Sequence, residues 1–298
     1  MYKTHDIIRA SRLPFITASI LPFIFGSLIE KSNFNLIGFL LGLLAVVATH
    51  LSANLINDYA DSKSGADWLD KRFFGFFGGS KLIQENIIPE GFYLRGAIIL
   101  AIISAASVIC LSFVLRSILP AAAYLAIIAL SWSYSHKPLQ FSYHRLGEIF
   151  IFLLFGPALV MGGYFIQSGI FPDMKSFLLS LPCGLLTTAI LFANEVPDLN
   201  EDRKAGKFTW VSITGGKRAF LLYYLLVIAA FSSIVINIFL GYLKPFNAIT
   251  LVFLLLSFKA AIILKKHYSE KELLVNSSKL TINVQALVTL VLILGVLL

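Results

Sequence analysis

The stretch AIILAIISAASVICLSFVL, residues 97–115, contains no charged side chain. A bilayer core about 30 Å thick needs about 20 apolar residues in helical form to cross it. A transmembrane β-strand would instead alternate apolar and polar residues over about 10 positions. Because this stretch is continuously apolar, it predicts a membrane-spanning α-helix and, with it, an all-α fold.

The rest of the 298-residue chain repeats this pattern. Its composition is 58% hydrophobic, whereas roughly 45–50% is usual for a globular domain. We therefore predict one integral-membrane domain over residues 1–298, a polytopic helical bundle. No cleavable signal is evident, since the polar N-terminus leads into a span of full length. The nine predicted spans are residues 14–31, 36–57, 92–115, 118–134, 147–168, 176–197, 219–241, 245–264 and 279–298.

The 24 Lys and Arg residues indicate how the chain is oriented. Most of them lie in the N-terminal segment and in the loops that share its side of the membrane. The positive-inside rule therefore places the N-terminus in the cytoplasm, and we expect the inner or plasma membrane of a bacterial cell. The net charge of +8 is spread over several short loops, which fits membrane lipid and an anionic substrate better than nucleic acid. Cys110 and Cys183 lie within apolar spans, which excludes a thiol metal site.

Two polar stretches with matching order follow apolar runs. In each, an Asn precedes two Asp residues and a Lys-x-Gly sequence. The members are Asn54, Asp58, Asp61, Lys63 and Gly65 in the first stretch, and Asn194, Asp198, Asp202, Lys204 and Gly206 in the second. The agreement predicts two matched acidic helix ends, near 54–67 and 194–207, and suggests an internal duplication. The glycine-rich loop around 67–90 is suited to covering a site as a lid, or to lying at the interface as a linker.

Each Asn-Asp-Asp set shares one helix face. On an ideal helix the three side chains of either set project within about 80° of one another. Carboxylates so close together repel and call for a cation, and oxygen-only ligands favour Mg²⁺. The simpler alternative is that the acids extend from helix ends into water. We predict Mg²⁺ ligation, with catalysis at the same site, by Asp58, Asp61, Asp198 and Asp202.

Basic side chains follow both acidic sets. This alternation suits a diphosphate, because metal ions neutralise its oxygens on one side while Lys and Arg donate hydrogen bonds from the other. Any single base could equally be a determinant of topology. The predicted substrate-binding residues are Asn54, Asn194, Lys63, Arg72, Lys81, Arg203, Lys204, Lys207 and, among the aromatic side chains that could stabilise a carbocation, Tyr134.

The stretches NLINDYADSKSGAD (54–67) and NEVPDLNEDRKAGKFT (194–209) resemble the two aspartate-rich motifs of the UbiA-type intramembrane aromatic prenyltransferases. GGSKLIQENIIPEG (78–91) and LGEIFIFLLFGPALVMGGYFIQSG (146–169) resemble the members that prenylate 1,4-dihydroxy-2-naphthoate in menaquinone synthesis. This sequence departs from that pattern at Glu148, where Asp is more usual, and at residues 135–137. The likeness runs through nearly all of the predicted spans.

The resemblance implies an Mg²⁺-dependent polyprenyltransferase. Polyprenyl diphosphate would lose its diphosphate at the acidic motifs, and the ring of an aromatic acid would attack the allylic carbon, giving demethylmenaquinone from 1,4-dihydroxy-2-naphthoate. Glu148 would position the acceptor or act as a base, unless it only forms a salt bridge to Lys137 or Arg145. Other acceptors, such as 4-hydroxybenzoate, homogentisate, a haem precursor or a glycerol phosphate, stay open. A secondary transporter is the rival class, although such proteins place charges near the midplane on broken helices.

Overall fold

The computed structural model describes residues 2–298. Within that range the chain is helical and has no β-strand, only a single bridge between His144 and Phe208. The prediction of an all-α fold is confirmed. The α-helices are α1 (Thr4–Ala10), α2 (Thr17–Ile29), α3 (Leu36–Ser64), α4 (Glu90–Leu115), α5 (Leu119–Ser133), α6 (Gly147–Phe155), α7 (Pro157–Ser168), α8 (Met174–Lys204), α9 (Trp210–Thr214), α10 (Ala219–Phe239), α11 (Leu254–His267) and α12 (Lys271–Leu297).

Within residues 2–298, seven helical stretches are long and apolar enough to cross a membrane. An eighth is obtained if Thr4–Ala10 and Leu13–Ile29, which are bent by 49° at their junction, form one span. The helix Leu119–Ser133 is apolar but shorter. Each predicted span overlaps a helix, while the count of nine and the cytoplasmic N-terminus stay predictions. The seven are Leu36–Ser64, Glu90–Leu115, Gly147–Ser168, Met174–Lys204, Gly216–Phe239, Pro245–His267 and Lys271–Leu297.

The helices α3 and α8 both extend past the ends of the predicted spans, so their acidic residues lie on the last helical turns. Gly65 ends α3 with φ +89°, and Gly206 follows α8 with φ +76°. A residue in this left-handed conformation commonly ends a helix, and glycine adopts it without steric cost. The shared Lys-x-Gly sequence therefore marks two similar helix ends. The way each helix ends is enough to explain why this sequence occurs twice, so the repetition does not by itself indicate a ligand.

The helix α8 is the most buried of the seven long apolar helices. It packs against α6, α7, α10 and α12, while α3 makes its most extensive contact with α4. Pro197 lies inside α8 directly before Asp198. Because proline has no backbone N–H, the carbonyl of Ala193 lacks its usual helical partner one turn earlier. The acidic end of α8 is thus supported by one helical hydrogen bond fewer than an uninterrupted helix would have.

The connection between α3 and α4 is anchored at several points. Leu82 and Ile88 are fully buried against α3 and α4. Arg9 of α1 forms an ion pair of 2.7 Å with Glu85 and lies 3.7 Å above the Phe73 ring. The glycine-rich part of this connection lines the cavity described below. This part of the connection therefore forms one wall of the cavity, and the choice between a lid and an interfacial linker stays a prediction.

Candidate active site

A cavity of about 240 Å³ lies between the acidic ends of α3 and α8. Its charged end is lined by side chains from both motifs, from the loop after α3 and from the start of α12. Its apolar end lies deeper among the helices. The polar lining comprises Arg12, His50, Asn54, Asn57, Asp61, Asp67, Asp70, Arg72, Lys81, Ser131, Tyr134, Thr187, Asn194, Glu195, Asp198, Glu201, Asp202, Lys207 and Lys271.

The first motif reaches the cavity through Asp61 and not through Asp58. Asp61 lines the cavity and accepts a hydrogen bond of 3.1 Å from the Tyr143 hydroxyl. Asp58 is 2% exposed and lies outside the lining. Its carboxylate is bound by the Arg12 guanidinium and accepts the Ser80 backbone N–H at 3.2 Å.

The contacts that Asp58 makes with Arg12 and Ser80 explain this difference. Asn57 and Asp61 are four residues apart and share a face of α3, and both line the cavity. Asp58, one residue beyond Asn57, is rotated by about 100° from it around the helix axis. The three residues predicted for this motif are therefore not brought together. Asn54, Asn57 and Asp61 line the cavity. Asp58 lies behind them and supports the cavity wall through its ionic and hydrogen-bond contacts.

A third carboxylate, Asp67, joins this side of the cavity from the short 3₁₀ turn after α3. Lys81 Nζ lies 2.8 Å from Asp67 Oδ1 and 3.0 Å from the Asp67 carbonyl oxygen. Both side chains are buried. Burial raises the pKa of the Asp67 carboxyl to about 6, and Lys81 opposes that rise while Asp61 adds to it. Sequence reasoning passed over Asp67 because it lies beyond the helix that carries the motif.

The structure brings all three residues of the second motif to the cavity, and their role there stays a prediction. Asn194, Asp198 and Asp202 all line the cavity, with the Asp202 carboxylate 3.4 Å from Lys207 Nζ. Burial opposes the charge on Lys207, but Asp202 and Asp61 outweigh it and raise the pKa of this ammonium well above its ordinary value. Lys207 therefore carries a partly buried positive charge between the two motifs.

Lys271, the first residue of α12, contributes a base that sequence reasoning missed. Its Nζ lies 3.8 Å from Asp198 Oδ1, 3.1 Å from Glu201 and 3.0 Å from Asp70. Lys271 is far from either motif along the chain, so only the packing of α12 brings it to the cavity. It links the end of α8 to the loop after α3.

Three predicted bases lie outside the cavity lining. Lys63 is exposed and pairs with Glu90 at the start of α4. Arg203 donates a hydrogen bond of 3.0 Å to the Ser212 carbonyl. Lys204, like Lys63, precedes the glycine that ends its helix, and its side chain is exposed. Of the other predicted substrate-binding residues, Asn54, Asn194, Arg72, Lys81, Lys207 and Tyr134 line the cavity.

Glu148 also lies outside the lining. It is 1% exposed, and one of its carboxylate oxygens accepts the backbone N–H of Trp210. The predicted alternative of a salt bridge to Lys137 or Arg145 is not formed by the described residues 2–298. Glu148 instead ties α6 to the start of α9.

No three His, Cys, Asp or Glu side chains of residues 2–298 come together as a metal-binding group. Mg²⁺ does not require such a group, since it is usually held by one or two carboxylates, water and substrate phosphates. Two buried oxygens of the second motif, Asn194 Oδ1 and Asp202 Oδ2, have no hydrogen-bond partner in the described part of the chain. These oxygens, with Asp61 across the cavity, fit a hard cation that arrives with a phosphate group.

The other end of the cavity is apolar. Its lining includes Ala18, Ile151, Leu154, Phe155, Ile190 and Leu191. Along α3, His50 at this end lies about 16 Å from Asp61, at 1.5 Å per residue. The cavity thus offers a charged end for a phosphorylated group and an apolar end for hydrocarbon.

Residues 19–280 match the model of the UbiA prenyltransferase family. UbiA prenyltransferase domain-containing protein 1 of Dictyostelium discoideum is 30% identical over 228 residues, 74% of this chain and 67% of that protein. The 1,4-dihydroxy-2-naphthoate octaprenyltransferase of Bacillus subtilis is 27% identical over 253 residues, 78% of each chain. The homologous proteins of Xenopus tropicalis and Drosophila melanogaster are longer, and the matched regions span only 54% and 60% of their own lengths.

A solved structure of a UbiA homolog from Archaeoglobus fulgidus, bound to GPP and Mg²⁺, has the same fold. Its TM-score is 0.68 at 15% sequence identity, covering 97% of this chain and 99% of that one. The two proteins therefore share the same helical architecture over nearly the whole of this chain. The resemblance seen in the sequence motifs is confirmed at the level of the family.

Proposed function

The chain belongs to the UbiA prenyltransferase family, and we propose that it transfers a polyprenyl group from polyprenyl diphosphate to 1,4-dihydroxy-2-naphthoate. The observation that carries the proposal is the single cavity in which both acidic motifs, lysines and an apolar end meet. A prenyl diphosphate has the same two-part character. By the positive-inside rule we place the charged end on the cytoplasmic side of a bacterial membrane.

The diphosphate would lie among three lysines of the cavity, of which Lys81 is buried. Lys81, Lys207 and Lys271 approach the cavity from three different segments of the chain, and each is already paired with a carboxylate. A diphosphate bound with a cation lets each ammonium keep an anionic partner while the carboxylates turn to the metal. Arg72, at the mouth, would add a further hydrogen-bond donor.

The carboxylates Asp61, Asp67, Asp198 and Asp202, with Asn57 and Asn194, would hold Mg²⁺. When bound, the metal neutralises diphosphate oxygens and so makes the diphosphate a better leaving group. The lysines contribute to the same end without the metal, because they donate hydrogen bonds to oxygens that gain negative charge as the bond breaks.

In the transfer, the bond between the allylic carbon and the diphosphate oxygen breaks, and both electrons leave with the diphosphate. Tyr134 and Phe155 line the cavity, so their π-faces can stabilise the positive charge left on carbon. The acceptor ring then forms the new carbon–carbon bond. Loss of its carboxylate as CO₂ returns electrons to the ring and yields the quinol form of demethylmenaquinone.

Two sequence segments support 1,4-dihydroxy-2-naphthoate over other aromatic acids. Residues 78–88 and 146–169 resemble naphthoate prenyltransferases, and a naphthoate octaprenyltransferase is among the relatives. Gly78, Gly79 and Lys81 of the first segment line the cavity. In the second segment, Ile151, Leu154 and Phe155 line its apolar end.

The test is product formation by the purified full-length chain in detergent or nanodiscs. Labelled geranylgeranyl diphosphate, Mg²⁺ and one acceptor from a panel of aromatic acids are incubated with the protein, and the product is identified by mass. We expect a prenylated naphthoquinol from 1,4-dihydroxy-2-naphthoate. A product from a different acceptor alone would reassign the acceptor, and no product from any acceptor would reject the proposed transfer reaction.

A further inference from the structure

His50 is a polar residue in the apolar part of the cavity. It lies on α3 one turn before Asn54, lines the cavity and is 7% exposed. Its Nδ1 is 2.6 Å from the Ser19 hydroxyl of α2. Its Nε2 is buried and has no hydrogen-bond partner within residues 2–298. A buried unpaired polar group costs free energy unless a ligand or water satisfies it.

The hydrogen bond to Ser19 indicates which nitrogen carries the proton. We assign the Ser19 hydroxyl as the donor to His50 Nδ1, because it has no other hydrogen-bond partner in the described part of the chain and the reverse direction would leave its own proton unpaired. A neutral imidazole that accepts at Nδ1 carries its own proton on Nε2. The Phe155 ring packs edge-on against the imidazole, with 6.0 Å between ring centroids. With this assignment His50 offers an Nε2–H donor that has no acceptor among residues 2–298.

We propose that His50 positions the aromatic acceptor, with its Nε2–H donating to a ring oxygen of that substrate. This inference rests on the prenyl transfer proposed above. The isoprenoid chain has no polar atom that could accept the bond. The diphosphate belongs at the charged end of the cavity, where Asp61 lies about 16 Å further along α3 than His50. The hydroxyl and carboxylate oxygens of the acceptor are the substrate atoms that fit.

The position of His50 also bears on substrate choice. The Nε2–H of His50 discriminates against ring substrates that place a hydrocarbon group next to it. With such a substrate bound, this N–H would stay buried and unpaired. Ser19 acts through His50, since it holds the imidazole in the donating form. The acceptor would therefore be selected jointly by the depth of the apolar end and by this single hydrogen bond.

The test compares His50→Leu with Thr49→Val in the full-length chain. Thr49 is the neighbouring residue on α3, bonds to Ser104 at 2.6 Å and lies outside the cavity lining, so its substitution removes a polar contact without touching the site. For His50→Leu we expect the KM for 1,4-dihydroxy-2-naphthoate to rise roughly ten-fold, the effect of one buried hydrogen bond. The KM for geranylgeranyl diphosphate should be unchanged, and His50→Asn should recover part of the loss.

Ser19→Ala provides a second variant if His50→Leu does not fold. It should raise the acceptor KM by a smaller factor and leave the diphosphate KM unchanged. An unchanged acceptor KM in the folded variants, or a rise confined to the diphosphate KM, would overturn the role of His50 while leaving the transfer reaction intact. Absence of turnover by the wild-type protein with every acceptor would reject both.

Discussion

The ammonium of Lys81 lies 2.8 Å from the carboxylate of Asp67, and both side chains are buried at the cavity wall. The pair joins the 3₁₀ turn after α3 to the glycine-rich segment that follows it. Neither residue belongs to an acidic helix end. The pair therefore shows that the charged end of the cavity is completed by a loop, in addition to the two helices.

Replacing Lys81 with Met should weaken binding of the prenyl diphosphate. The substitution keeps the shape of the side chain but removes a buried ammonium, and losing a hydrogen bond from a charged group costs roughly 10- to 100-fold in binding. The matched control is Lys63→Met, because Lys63 is exposed and pairs with Glu90 away from the cavity. The measurement is the KM for labelled diphosphate. Equal effects of the two substitutions would contradict a specific role for Lys81.

Replacing Asp61 or Asp58 with Asn should have different consequences. Asp61→Asn removes a charge from the cavity, so we expect turnover to fall by at least about 100-fold with the melting temperature unchanged. Asp58→Asn leaves the Arg12 guanidinium without its anionic partner, so it should lower the melting temperature while retaining measurable turnover. Turnover and thermal unfolding of both purified variants separate the two roles. If the Asp58→Asn protein lost turnover while its melting temperature stayed unchanged, Asp58 would have a direct role in the active site.

The helical fold could be predicted from apolar runs because the bilayer imposes one length on every span. The second motif was also predictable, since Asn194, Asp198 and Asp202 lie within the regular helix α8 and keep ideal spacing. For the first motif, the sequence could not indicate which residues face the cavity, because Asn57 and Asp58 are adjacent on α3 and both carry acceptor oxygens. Only the surrounding packing decides which of two neighbouring residues faces the cavity.

Residues brought by loops and distant helices could not be predicted in the same way. Asp67 depends on the turn that follows Gly65, and Lys271 depends on how α12 packs beside α8. The repeated Lys-x-Gly sequence misled in the opposite direction. Its glycines end two helices, and the lysines before them point away from the cavity.

Replacing Glu148 with Gln should preserve most of the activity. Its carboxylate accepts the Trp210 N–H, and an amide oxygen can accept the same bond. Glu148→Ala should instead lower the melting temperature, because a buried N–H loses its partner. The comparison requires kcat and thermal unfolding for both variants. If Glu148→Gln reduced kcat as severely as Asp61→Asn at unchanged stability, Glu148 would be the catalytic base predicted from the sequence.

Replacing Gly79 with Ala should impair the site through Asp67. A Cβ atom at Gly79 would lie 2.7 Å from Asp67 Oδ2, which is too close, so the carboxylate must move. Gly75→Ala is a matched control, because Gly75 has a similar positive φ, +86° against +79°, and open space around its Cβ position. Both variants bear the same backbone strain of roughly 1 kcal/mol. We expect Gly79→Ala to raise the diphosphate KM several-fold beyond Gly75→Ala, roughly the cost of one misplaced polar contact. Equal KM values would mean that Asp67 tolerates displacement, and its part in diphosphate binding would then be rejected.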